Sequence, residues 1–167
     1  MKITGMTYYG GGWHAVMKSD SSLLNQRKPF FLPEFSGEIT ARECVVVRIG
    51  RMGRHIERRF ASRYTDGIAL GLNFRAEDKL REGDSAQALA FDNALAVGTW
   101  LPPEEFPAEL LPTLPTVEES IEKISGIMTL RTGDMIFIDT GEGAPVKREQ
   151  VFSLSVNGTE NLYCKIK

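Results

Sequence analysis

Apolar positions along this chain fall into short runs whose period changes from one run to the next. Residues 43–49 carry Val45-Val46-Val47 and read as a strand with few polar interruptions. Ile56, Phe60 and Tyr64 then recur every four residues, which predicts a short amphipathic helix over 55–64 with basic residues on its other face. Over 67–74, Ile68, Leu70 and Leu72 alternate with small residues, the pattern of a second strand. Five prolines between Pro102 and Pro115 break any regular element and predict an irregular surface connection. Thr116-Val117-Glu118-Glu119 has the spacing of a capping box, and Val117, Ile121 and Ile124 give the following helix one apolar face up to about Gly126. A strand over 135–138 follows. Finally, two strand-like runs, 151–156 and 161–166, flank Asn157-Gly158, a pair that favours a tight hairpin turn. Many strands with a few short helices, and no regular strand-helix repeat, predict a mixed sheet of the α+β class.

Composition narrows the function classes. With 167 residues, 42% of them hydrophobic and 25% charged, the chain can bury one sizeable core, and one unit over 1–167 is expected. Twenty basic against 22 acidic residues leave a net charge of -2, so no global pull toward nucleic acid or an anionic membrane is expected. The first residues lack the apolar run of a secretory signal, and no stretch reaches the length of a spanning helix, which predicts a cytoplasmic protein. Cys44 and Cys164 sit in strand-like surroundings and read as buried thiols. With His14 and His55 they show no zinc spacing.

Several stretches carry a more specific pattern. They are Gly5-Met6-Thr7-Tyr8, residues 18–31 with Lys28-Pro29-Phe30-Phe31, residues 39–64, Phe74-Arg75-Ala76-Glu77-Asp78, Phe91-Asp92 with Gly98-Thr99-Trp100, and residues 120–141. In their order and spacing the chain resembles the fumarylacetoacetate hydrolase family, especially its small single-domain members that act on acylpyruvates and related keto acids. The resemblance spans nearly the whole chain. It implies a mixed, mostly-β fold with a rolled or barrel-like sheet and a few short helices, and a homodimer.

The resemblance also implies a magnesium or manganese ion on two glutamates one residue apart on a strand and an aspartate from the next strand. Hard cations need such anionic oxygens. At the matching positions this chain has Arg42, Cys44 and Asn73, none of them a carboxylate. Glu43 lies between the first two, but using it would slide the strand register by one residue and turn its apolar set outward. Arg75 and Glu77 replace a threonine and an arginine of the family motif, and Asp78 is retained. Leu89 stands where the family has a substrate-binding lysine, which leaves no cation at that position. Gly11 and His14 take the places of a histidine and a glutamate that activate water, so His14, beside a flexible Gly10-Gly11-Gly12 loop, is the one candidate base. Lys18 and Thr140 complete the positions expected around the pocket, and Asp139 replaces a glycine on its wall.

Three functional readings follow. The first is a non-catalytic homologue with a degenerate metal site and no cofactor, acting in binding or assembly by pairing with itself or with an active relative. The second is a magnesium- or manganese-dependent hydrolase or decarboxylase of small keto acids, its ligands drawn from Glu38, Glu43, Glu77, Asp78 or Asp139. The third is a metal-free pocket that takes a small carboxylate on Arg42 and Arg75.

Overall fold

The valine run becomes part of the long central strand. In chain order the computed structural model, which describes residues 1–167, contains strands β1 (Ile3–Tyr9), β2 (Gly12–Lys18), β3 (Leu23–Leu24), β4 (Ile39–Ile49) and β5 (Thr65–Ala76). Two short helices follow, α1 (Glu77–Arg81) and α2 (Ser85–Leu89), then β6 (Leu95–Val97) and α3 (Val117–Ile127). The chain closes with β7 (Met135–Asp139), β8 (Ala144–Pro145), β9 (Val151–Val156) and β10 (Thr159–Lys165).

Eight strands form one mixed sheet in the order β2-β1-β7-β4-β5-β6-β3, with β8 also paired to β4, while β9 and β10 make a separate hairpin. Pairs β1 with β7 and β3 with β6 are parallel; the others are antiparallel. The α+β class is as expected, but the expected barrel-like closure is not formed. Strands β2 and β3 are free edges, and β3, only two residues long, offers too little ladder to join them.

Local rules account for the elements that matter here. Thr116 Oγ1 accepts from the Glu119 amide (3.1 Å) and the Glu119 carboxylate accepts from the Thr116 amide (3.0 Å), so the capping box starts α3 as its spacing predicts. The helix then buries Val117, Ile121 and Ile124 against Val45, Val47, Ile49, Ile136 and Ile138 of the sheet. Asn157 and Gly158, at φ 50° and 77°, make the two-residue turn of the last hairpin.

Two elements differ from expectation. The predicted helix over 55–64 is a tighter 3-10 segment, Arg58–Tyr64. His55, at φ 51°, takes a left-handed backbone and Glu57 an extended one, which excludes a right-handed helix over 55–57, while the amides of His55 and Ile56 bond to the carbonyl and hydroxyl of Ser125 on α3 at 3.0 and 2.9 Å. The Gly10 to Gly12 stretch is no loose loop: Gly10 and Gly11, at φ 58° and 82°, form a tight turn that pairs β1 with β2. Both cysteines are free and buried, as expected. No helix is long and apolar enough to cross a membrane.

Candidate functional site

Alternation along β4 sends Val45 and Val47 toward α3 and Arg42 and Cys44 to the opposite face. There Arg42 lies directly across from Asn73 of β5, and Cys44 across from Asp139 of β7. The three positions singled out in the sequence therefore meet, with Asp139 beside them. Strand β1 adds Thr7, and Lys18, paired with Ile3, arrives on the same face from the edge strand.

Polar groups on this face are buried and bonded to one another. The Asp139 carboxylate accepts from the Asn73 amide (3.0 Å) and, through a short contact, from the Thr7 hydroxyl. Thr7 in turn accepts from Arg75 Nη1 (2.9 Å), which also donates to the Tyr8 carbonyl (2.8 Å). Arg75 is 2% exposed and forms a two-pronged pair with Glu77, Nε and Nη2 donating at 2.9 and 2.8 Å. Thr40 donates to the same Glu77 carboxylate at 2.7 Å. Lys18 donates to the carbonyls of Leu89 (2.6 Å) and Phe74 (3.4 Å).

Burial shapes the ionisation of these groups. It pulls Lys18 down to about 7, against the opposing pull of Asp139 and then Cys44. Burial likewise pushes Asp139 above the usual carboxylate range, opposed by the Thr7 and Asn73 hydrogen bonds and by Arg42 and Arg75. Cys44 is driven well above the ordinary thiol value by burial and by Asp139, so it stays a neutral thiol.

Arg42 is the exception to this mutual satisfaction. No ion pair of the chain includes it. Its buried Nε has no partner within the protein, and neither has Oδ1 of its neighbour Asn73. Gly143 packs against the guanidinium so closely that a Cβ there would come within 3.0 Å of Nε. Burial, then the Arg75 charge, lower the Arg42 pKa. Arg42 and Asp139 form part of the wall of an open cavity of about 630 Å3, together with Tyr8, Trp13, Leu111 and Thr140.

The remaining sequence candidates do not converge on a centre. His14 shares the face of Thr7, but it stacks on the Tyr9 ring at 3.9 Å, contacts the Tyr9 carbonyl at 3.1 Å and does not line the cavity. Gly11 is exposed in its turn. Glu43 is exposed, Glu77 is committed to Arg75, Asp78 accepts from Ser36 at 2.5 Å, and Glu38 pairs with Arg81. Thr140 is on the cavity wall as expected, its hydroxyl 3.3 Å from the Glu43 carbonyl. Arg75 is not a free cavity cation, because Glu77 holds it.

Leu89 brings no side-chain cation of its own; a different cation, the Lys18 ammonium, bonds to the Leu89 main-chain carbonyl from 71 positions away, where β2 packs on α2.

Set against the divalent cation that the resemblance implies, the donors do not fit. A guanidinium, a protonated thiol and an amide whose NH2 already points at Asp139 offer no anionic pair, and no three His, Cys, Asp or Glu side chains gather anywhere in the chain.

No protein-family model matches the chain. It is 27% identical to "Oxaloacetate decarboxylase, mitochondrial" of Dictyostelium discoideum, over 85% of this chain and 76% of that protein. Among solved structures it is similar to fumarylpyruvate hydrolase from Pseudomonas aeruginosa in complex with Mn2+ and pyruvate, with TM-score 0.84, 17% identity and coverage of 99% and 89%. It is also similar to 5-carboxymethyl-2-hydroxymuconate delta-isomerase from Mycobacterium smegmatis, with TM-score 0.83, 18% identity and coverage of 99% and 78%.

Proposed function

We propose, since the chain has the fold of the fumarylacetoacetate hydrolase family, that it acts on small keto acids as a decarboxylase and holds the substrate on Arg42 rather than on a metal ion. The observation that carries this reading is the unpaired Arg42 guanidinium on the wall of an open cavity. Such a fork matches a carboxylate with an adjacent keto oxygen, and in a half-buried setting it attracts anions more strongly than a solvated lysine would. The relatives support the substrate class, because the names they carry are those of keto-acid enzymes.

Decarboxylation suits this site better than hydrolysis does. When a 3-keto acid loses CO2, the carbon-carbon bond breaks and its electron pair passes to the keto oxygen as an enolate, which then takes a proton on carbon. A fixed cation beside that oxygen stabilises the developing charge. Hydrolysis asks in addition for a base that activates water, and His14, held against the Tyr9 ring and carbonyl, does not line the cavity.

A non-catalytic binding protein, pairing with itself or with an active relative, is the second reading, and the unsuitable metal donors favour it. Oxaloacetate consumption and acylpyruvate hydrolysis, each followed with and without Mn2+, separate the two. The expected result is oxaloacetate turnover that needs no added Mn2+ and falls about 100-fold in Arg42→Ala. Pyruvate binding by thermal shift without any turnover supports the second reading, and neither binding nor turnover overturns both.

A further inference from the structure

The buried face holds more positive charge than its described role needs. Arg75 is neutralised by Glu77, and Arg42 faces the cavity. Lys18 does neither: it is 3% exposed, does not line the cavity, and spends its ammonium on two carbonyl oxygens. It comes from an edge strand whose other residues are mostly half-buried, so its burial is not imposed by a uniformly apolar strand.

The surroundings of Lys18 are those a cation would choose. The Leu89 and Phe74 carbonyls bond it directly, and Asp139 supplies the largest favourable charge interaction. Asn73, next in sequence to Phe74 and bonded through its NH2 to Asp139, keeps its Oδ1 without a partner. The Lys18 ammonium lies over the Phe137 ring, with Nζ 5.4 Å from the ring centre. On this face a family-type site would have carboxylates around a metal ion. Here a carboxylate, Asp139, sits among protein cations instead.

We infer that the Lys18 ammonium takes the interior place of a divalent cation, with Asp139 as its counter-charge, so that the oxygen-lined slot is closed to metal in the native protein. The ammonium is covalently attached, so neither dilution nor chelation removes it, and it is charged below the pH of about 7 to which burial lowers it. An ammonium buried on two carbonyls, with Asp139 farther off as the nearest opposing charge, repels a second cation at that spot.

The inference does not depend on turnover, so it is tested by metal binding and melting alone. Calorimetric titration with MnCl2 of the native chain, Lys18→Met and Lys18→Met/Asp139→Asn gives the comparison. Methionine keeps the length of the stem and removes the charge. The native chain is expected to give no binding heat and no melting shift. Lys18→Met, with its oxygens uncovered, is expected to bind Mn2+ at least tenfold more tightly than the native chain, and the double variant to lose that gain. Native binding as tight as that of Lys18→Met, or a folded Lys18→Met that ignores Mn2+, overturns the inference. Should Lys18→Met not fold, the double variant, which leaves no uncompensated carboxylate, is expected to fold. A double variant that also fails to fold overturns the inference as well.

Discussion

Strands β4 and β5 bury two faces of opposite chemistry. Behind β4, Val45, Val47 and Ile49 are closed over by Ile121 and Ile124 of α3, and dispersion and water exclusion hold them without regard to direction. In front lie Arg42, Asn73, Arg75, Asp139 and Lys18, most of them equally buried but held by specific bonds. On the apolar face a shortened side chain leaves a hole. On the polar face a removed partner leaves a charge, which costs more because nothing nearby can replace it.

Arg75→Met tests this contrast most severely. It strands Glu77, whose side chain is 20% exposed, and removes the donors to Thr7 and the Tyr8 carbonyl, so a loss of roughly 3–5 kcal/mol is expected. Urea unfolding measures it, and a loss under about 1 kcal/mol would mean that the polar face carries no structural weight. Ile121→Ala, on the other face, should cost about 2–4 kcal/mol by the same measurement. It should leave pyruvate binding unchanged, and a binding loss would show that the two faces are coupled.

Thr116→Ala removes the cap that starts α3 and should cost about 1 kcal/mol, with helix content falling slightly in circular dichroism. The mildest effect is one of pH. Burial works to raise Glu77 and Asp134, but hydrogen bonds from Arg75 and Thr40 to the first, and from Lys2 to the second, outweigh it and leave both below the usual carboxylate value. Their contribution is therefore complete above the unfolded range near pH 4 and is lost as pH falls through their lower folded values. Unfolding followed from pH 6 to pH 3 should show stability declining only below about pH 4. Glu77→Gln should flatten part of that decline, and an unchanged profile would detach Glu77 from the Arg75 pair.

Much of the fold could be read from local pattern. The capping box, the Asn-Gly turn and the valine run each act within a few residues, where spacing decides geometry. Four-residue spacing does not reveal that His55 is left-handed and Glu57 extended, and these two residues limit the 55–64 segment to a 3-10 turn. The first hairpin depends on the pairing of β1 with β2, which three consecutive glycines do not signal.

Within the site, the common face of Arg42 and Cys44 was legible, since β-strand alternation places residues two apart on one side, and the pairing of β4 with β5 sets Asn73 opposite Arg42. That Glu77 would be spent on Arg75 was not, although the two lie only two positions apart, because side-chain pairing at the end of a strand depends on what else crowds it.

By itself the sequence determined that Arg42 and Cys44 share one face of their strand and that ionisable side chains such as Arg75, Glu77 and Asp139 lie at the ends of neighbouring strands, because identity and strand parity are local properties. Tertiary structure alone decided how those charges are matched: Lys18 to the Leu89 carbonyl, Thr7 to Asp139, and Arg42 to nothing within the chain. The reason is physical. A charge is satisfied by whatever lies within about 3–4 Å in space, and chain separation places no limit on which residue that is.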